Sequence, residues 1–192
     1  MDLSKAPDMK ELHTLSLSFI SSYSDTFHLD ELPSLPLVPN LSSLHLTLSG
    51  DRRSISTSSL LKLFSELNPA CLHRLSLLNL LIDAKQLSTI LKSCPNLEEL
   101  YVSAASRHAA LNCPDLKGSG LRVFHLNAPS EFGPSGDDLL ELARSMLGLD
   151  QIGSGNRVYE VWRSLGDNDE KVVELSRWGR ITVPAYFQIW RG

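Results

Sequence analysis

Residues 72–77 read Leu-His-Arg-Leu-Ser-Leu, and this Leu-x-x-Leu-x-Leu pattern recurs along most of the chain. The other clear copies begin at Leu12 (LHTLSL), Leu41 (LSSLHL), Leu97 (LEELYV) and Leu121 (LRVFHL). Successive starts lie 29, 31, 25 and 24 residues apart, within or just beyond the spacing of leucine-rich repeats. A weaker sixth copy begins at Leu149. The spacing predicts that the chain is an array of similar units.

Two further features recur in phase with the leucines. Prolines precede the expected strands, at Pro39, Pro69, Pro95 and, more loosely, Pro114. Apolar stripes at helical spacing predict helices over residues 59–67, 84–93 and 138–147. Capping residues precede these stripes, at 56–58, at Asp83 and at 135–137. Each unit is therefore a strand, a turn, a helix and a proline turn. The exception is residues 18–39, which show no clear helix, and whose proline-rich run at 32–39 is expected to be extended on the convex side.

Such a unit cannot bury its apolar face alone, whereas stacked copies share one core. The sequence therefore predicts an α/β fold, a leucine-rich-repeat solenoid in which a right-handed βα superhelix carries a parallel sheet on its concave face. Motif positions one, four and six are expected to face the core. Alternation then directs positions three, five and seven to the concave side.

The composition changes after Leu149. Residues 150–192 hold only two of the 37 leucines but all three tryptophans, Trp162, Trp178 and Trp190. Because the last repeat of a solenoid exposes an apolar end, we expect residues 1–149 to form the repeats and 150–192 to form a last partial repeat and a β-rich aromatic cap. Residues 157–163 and 186–191 are the predicted strands of this cap. We expect the tryptophans in the cap core, and the alternative is an aromatic patch that binds a partner.

Charge, cysteines and motifs exclude several functions. The net charge of -4 and the scattered basic residues argue against nucleic acid as a partner. Three cysteines, an odd number, favour reduced thiols in a cytoplasmic or nuclear protein. No apolar stretch is long enough to predict a membrane segment or signal peptide. No metal-ligand spacing is present among the histidines and cysteines, so we expect no metal and no cofactor.

Residues 93–102 (SCPNLEELYV) resemble the cysteine-containing leucine-rich repeats of F-box proteins. The long serine-rich repeats and the RVYEVWR segment at 157–163 are similar to the F-box-like family of basidiomycete fungi, over roughly residues 7–192. The resemblance implies a substrate receptor of cullin-RING ubiquitin ligases, in which F-box helices bind the ligase adaptor and the repeats bind a target protein. No stretch of F-box length precedes the first repeat, so the adaptor is an expected partner only if a missing N-terminal F-box exists.

One feature of many leucine-rich repeats is not found, an asparagine at motif position nine. That position holds Ile20, Ser49, Leu80, Ala105 and Pro129. Together with the F-box that is not seen before the first repeat, this departure bears on the expected adaptor binding, whereas the expected repeat architecture rests on the leucines, prolines and helices that recur in phase.

The functional hypothesis concerns the strand positions that face away from the core. These are Ser43, His45 and Thr47; Arg74, Ser76 and Leu78; Glu99, Tyr101 and Ser103; and Val123, His125 and Asn127. Among them we predict a protein-binding site at His45, Arg74, Glu99, Tyr101 and His125, since arginine and tyrosine are enriched in binding hot spots. The alternative interpretation is a merely solvated sheet face.

We therefore expect a non-enzymatic protein-interaction module. A second hypothesis is a structural scaffold, or a truncated repeat fragment, with no specific partner. A third is a hydrolase that uses Ser135 or a histidine, which would require a Ser, a His and an Asp within hydrogen-bond distance of one another.

Overall fold

Strands and short helices alternate along residues 11–20, 26–27, 38–50, 52–129, 131–165 and 171–177, which the computed structural model describes. The strands are β1 (Thr14–Ile20), β2 (Thr26–Phe27), β3 (Ser43–Ser49), β4 (Arg53–Ile55), β5 (Arg74–Ile82), β6 (Glu99–Ala104), β7 (Val123–Asn127), β8 (Gln151–Ser154), β9 (Arg157–Leu165) and β10 (Lys171–Arg177). The helices are α1 (Thr57–Glu66), α2 (Ala84–Ser93), α3 (His108–Leu111), α4 (Pro114–Lys117) and α5 (Gly136–Ser145), with a 3₁₀ turn at Pro69–Cys71. No helix in these ranges is long and apolar enough to span a membrane.

The strands form one open, mostly parallel sheet. Its order is β1-β3-β5-β6-β7-β8-β9-β10, and the two short strands β2 and β4 continue it beside β5. Strands β1 to β8 along this path pair in parallel, whereas β8, β9 and β10 pair antiparallel. The mixed α/β fold and the parallel pairing of the leucine segments in chain order are thus confirmed.

The motif leucines form a single core. At motif position four, Leu44, Leu75, Leu100 and Phe124 are neighbours in the register of adjacent strands, and each is 0% exposed. Position six is equally buried at Leu46, Leu77, Val102 and Leu126. The apolar stripes of α1, α2 and α5 pack into the same cluster. Burial of each side chain of this size stabilises the fold by about 1.5–3 kcal/mol. The leucines that recur at the repeat spacing therefore supply much of the free energy that forms the core.

Capping residues set where the three longer helices begin. The hydroxyl of Ser56 accepts the amide of Ser59 at the start of α1. At α2 and α5, Asp83 and Ser135 each form a reciprocal capping box with the residue three positions on. These starts fall where the sequence predicts them, and α1 and α5 begin two residues earlier than their apolar stripes because the first turn is polar.

Asn79 lies at motif position eight, one residue before the position at which many leucine-rich repeats carry an asparagine. The register of β5 against β6 shifts between Leu77 and Leu81, and Asn79 in this bulge has a φ of 61°. Its side-chain amide donates to the carbonyl of Leu48, 2.8 Å away, and its backbone amide donates to Ser103 Oγ at 2.9 Å. Asn79 therefore links three successive repeats from motif position eight.

The C-terminal region departs from the sequence prediction. Strand β9 lies where the segment 157–163 predicts a strand, but β10 was not predicted. The side chain of Trp162 is 60% exposed, so its expected place in the core is wrong. Several predictions fall outside the described residues: the places of Trp178 and Trp190, the strand at 186–191, and the extended run at 32–39 except for its last two residues.

Candidate functional site

One face of the sheet carries the side chains that alternate with the core leucines, and we call it the polar face. It comprises Thr14, Ser16 and Ser18 of β1 and the positions three, five and seven of β3, β5, β6 and β7 named above. It continues through Gln151 and Gly153 of β8 to alternate residues of β9 and β10. Leu78 and Tyr101 are buried on this face and do not belong to the leucine core cluster.

The centre of the polar face is an ion pair with a tyrosine. Arg74 and Glu99 are directly opposite in the β5–β6 register. The Nε and Nη2 atoms of Arg74 donate to the two carboxylate oxygens of Glu99 at 2.7 and 2.6 Å, a bidentate geometry. The hydroxyl of Tyr101 donates to Glu99 Oε2 at 3.0 Å. Both carboxylate oxygens are thus occupied, while the Arg74 side chain remains 41% exposed.

His45 lies one strand away from this ion pair, on β3. Its Nε2 is 2.9 Å from Ser43 Oγ. Burial and the positive charge of Arg74 lower the pKa of His45, and Glu99 opposes them only in part. The imidazole is therefore neutral near neutral pH, and it offers a hydrogen-bonding group rather than a charge.

Two of the predicted binding residues are not available to a partner. Tyr101 is 1% exposed and His125 is 0% exposed, so the expectation that both lie on the surface is wrong. The rings are neighbours, with centroids 6.4 Å apart. Across β8, a Cβ on Gly153 would lie 2.1 Å from His125 Nδ1, which shows that the ring occupies the space a side chain would need. The absence of a side chain at Gly153 is what admits the histidine.

Hydrogen bonding fixes the buried histidine in one orientation. His125 Nε2 donates to the carbonyl of Gly155, 2.9 Å away, in the β8–β9 turn where Gly155 has a φ of +56°. Burial lowers the pKa of His125 to about 4, and the bond to Gly155 offsets this only in part. His125 therefore serves to attach the hairpin to the sheet, and the reachable residues of the predicted site are His45, Arg74 and Glu99.

Sequence reasoning missed a side chain that crosses this face. Arg52, in the loop after β3, places Nη2 3.4 Å from Asn127 Oδ1 on β7, although 75 residues separate them in sequence. Its Nη1 is enclosed and has no hydrogen-bond partner within the described residues. The sequence holds no signal for this contact, because it depends on β5 and β6 lying between β3 and β7 in the sheet.

The arrangement that a hydrolase would require does not occur at Ser135. The hydroxyl of Ser135 donates to Asp138 Oδ2 at 2.8 Å and accepts the Asp138 amide, so it caps α5. A cavity of about 350 Å³ lies beside α5 and the β8–β9 turn, and Ser154, Arg157 and Tyr159 are among its lining residues, which include no histidine or carboxylate. Ser43 and His45 do contact each other, but both oxygens of Glu99 are taken by Arg74 and Tyr101.

The thiols show no metal-binding arrangement. Within the described ranges, no three His, Cys, Asp or Glu side chains are grouped so that they could hold a metal ion. Cys94 is 2% exposed and Cys113 is 1% exposed, and burial raises the pKa of Cys94 to about 12. Burial also raises the pKa of Cys113. Both thiols therefore remain protonated and pack as small apolar groups.

The described chain is a mixed α/β protein whose open, mostly parallel sheet has helices and a leucine core on one side and a polar face on the other. Comparisons with protein-family models, with curated proteins and with solved structures find no match.

Proposed function

We propose that the chain is a leucine-rich-repeat solenoid that binds a target protein through its polar face and acts as the substrate-recognition region of an F-box-like ubiquitin-ligase receptor. The observation that carries the repeat part is the register. Thr14, Ser43, Arg74, Glu99, Val123 and Gln151 are partners along one row of six parallel strands. Each occupies motif position three, so the repeats stack in phase.

The chemistry of this row supports protein recognition. Arg74 and Glu99 hold each other in a bidentate pair, so neither side chain must be ordered when a partner arrives. Around them lie hydroxyl and imidazole groups rather than a single sign of charge, as at Ser16, His45 and Thr47. Such a surface provides directional hydrogen bonds, which a protein partner satisfies better than a phosphate backbone does.

The test removes the central ion pair without leaving a charge unpaired. In the double variant Arg74→Ala/Glu99→Ala we expect the proteins captured from a host lysate to fall at least about five-fold, since arginine hot spots contribute about 1–2 kcal/mol or more. The matched control is Arg122→Ala/Asp150→Ala, which removes another charge-neutral inter-strand pair, 63% and 51% exposed, at the edge of β7 and β8.

Capture is read by quantitative mass spectrometry, with the melting temperature as a control for folding. Equal capture by the ion-pair variant and by the wild-type chain contradicts the proposal. Loss in the ion-pair variant, with retention in the control pair, supports it.

A structural scaffold is the second candidate, and β1 favours it. The inward side chains Leu12, Leu15, Leu17 and Phe19 are only partly buried, whereas their equivalents on β3 are fully buried. Partly exposed apolar side chains on an edge strand can pack against another chain. If this candidate is correct, Leu15→Glu/Leu17→Glu lowers the sedimentation mass of the chain at high concentration, and the ion-pair variant captures as many proteins as the wild type.

A further inference from the structure

The hairpin of β9 and β10 separates its charges by face. The antiparallel register places Arg157, Arg163, Lys171 and Arg177 on the side of the sheet that faces α5. The two acidic residues of the strands themselves, Glu160 and Glu174, lie on the polar face. Arg163 fixes this orientation, because its guanidinium donates to the carbonyls of Ala143, Met146 and Leu149 at the end of α5.

An exposed tryptophan lies between the two acids. Trp162 is directly opposite Glu174 in the β9–β10 register and two residues from Glu160 on the same strand face. Its side chain is 60% exposed, and neither glutamate forms an ion pair within the described part of the chain. Directly opposite residues on one sheet face have Cβ atoms about 5 Å apart, so Trp162 and Glu174 are neighbours on the polar face, and Glu160 follows on the same face of β9.

These three side chains fit one kind of occupant. The face of an indole attracts a cation, and arginine is the usual cation in such contacts. The aliphatic stem of an arginine or lysine covers apolar surface while its head group reaches a carboxylate. In the described strands β9 and β10 no cation lies on the polar face, so the positive charge that these glutamates attract is not supplied by the two strands themselves. The surface is therefore complementary to a basic peptide.

We propose that Glu160, Trp162 and Glu174 form a docking site for an arginine- or lysine-rich segment of a partner protein. This site is separate from the ion pair of Arg74 and Glu99. Glu160 stands three strands from Glu99, through Val123 and Gln151 in the register, or about 14 Å at the usual spacing of strands. The site goes beyond the proposed function, because it specifies the charge of a partner segment.

The experiment measures binding of a fluorescein-labelled dodecapeptide of four Gly-Arg-Ser repeats to the full chain by fluorescence anisotropy. Trp162→Leu keeps an apolar side chain but removes the π face, and we expect the dissociation constant to rise about three-fold. Glu174→Gln removes one carboxylate with almost no change in shape, and we expect a rise of about two- to five-fold that shrinks as salt is added.

Two matched controls change the same residue types elsewhere. Phe132→Leu removes another exposed aromatic ring, which is 55% exposed, and Glu141→Gln removes an exposed carboxylate from α5. A peptide with glutamate in place of arginine tests the sign of the charge. The melting temperature of each variant confirms that the chain is folded.

Weakening by Trp162→Leu and Glu174→Gln but not by the two controls supports the docking site. Equal weakening by Glu141→Gln shows that only net charge matters, and unchanged binding in both site variants shows that the peptide binds elsewhere; either result overturns the proposal. The Arg74→Ala/Glu99→Ala variant should bind the peptide as the wild type does, which separates failure of this site from failure of the proposed function.

Discussion

Gly153→Ala is the substitution for which the structure makes the sharpest prediction. A Cβ at this position would lie 2.1 Å from His125 Nδ1, 2.7 Å from Cε1 and 3.0 Å from Cγ. Carbon and nitrogen atoms that are not bonded prefer separations of about 3.5 Å, so the imidazole must move by more than about 1 Å. It cannot do so freely, since it is fully buried beside Tyr101.

Two effects of the added methyl group lower the free energy of unfolding. Overpacking of a dense interior destabilises a protein by about 1–3 kcal/mol. Displacement of the ring also breaks the hydrogen bond from His125 Nε2 to the carbonyl of Gly155, worth about 1 kcal/mol. We therefore expect Gly153→Ala to lower the free energy of unfolding by about 2–4 kcal/mol.

Urea unfolding followed by circular dichroism at pH 7 measures this change. The matched control is Gly118→Ala, because Gly118 has a φ of -93° and no atom within 4 Å of its Cβ position. We expect that variant to stay within about 0.5 kcal/mol of the wild type. The double variant His125→Ala/Gly153→Ala should be more stable than the sum of the two single changes predicts, since the methyl group then fills the vacated space.

Two results would refute the reasoning. One is a Gly153→Ala variant as stable as Gly118→Ala. The other is strict additivity in the double-mutant cycle, because it would mean that the histidine and the glycine do not share one space.

Three further predictions concern individual side chains. The pKa of His125 in the folded chain is about 4, below its ordinary 6.5, so about 3 kcal/mol of the unfolding free energy present above pH 6.5 is lost as the pH falls from 6.5 to 4. In urea unfolding at a series of pH values, His125→Gln should remove this part of the pH dependence. Asn79→Ala should cost about 1 kcal/mol more than Asn79→Gly, because both lose the side-chain bond but only alanine is strained at a φ of 61°; equal midpoints in urea would contradict this. In thiol labelling with Ellman's reagent, Cys71 should react first, whereas Cys94 and Cys113 should react only on unfolding, and three fast thiols in the native chain would show that the core is open.

The sequence predicts the core well because burial of the core leucines depends only on the pattern of apolar residues within each repeat. An apolar side chain at motif position four or six must face the helices, whatever lies in the neighbouring repeat, and Leu75 and Leu100 are accordingly fully buried. The helix starts at Asp83 and Ser135 are equally local, since a capping box needs only residues three positions apart.

The depth of side chains on the polar face could not be predicted in this way. Alternation assigns Tyr101 and His125 to that face, but their burial depends on residues in other repeats. His125 is enclosed because Gly153, 28 residues further on, leaves room for its ring, and because the turn at Gly155 supplies a hydrogen-bond acceptor. The sequence gives only a weak signal for β10, because its alternation of apolar and polar residues is short and the adjacent Val172 and Val173 interrupt it.

The carboxylates of the polar face differ in whether a cation of the described chain already pairs with them, and this difference decides which partner the face can bind. At its centre, Glu99 already accepts two hydrogen bonds from Arg74 and one from Tyr101, so that carboxylate gains nothing from a new cation. The Arg74 side chain is still 41% exposed, and its guanidinium can donate to a carboxylate or carbonyl group of a partner. Glu160 and Glu174, by contrast, are not neutralised by described cations on their own face. A single partner that spans both regions must therefore present an acceptor group over β5 and a cation over β9, and a partner with the reverse charge order would lose both contacts.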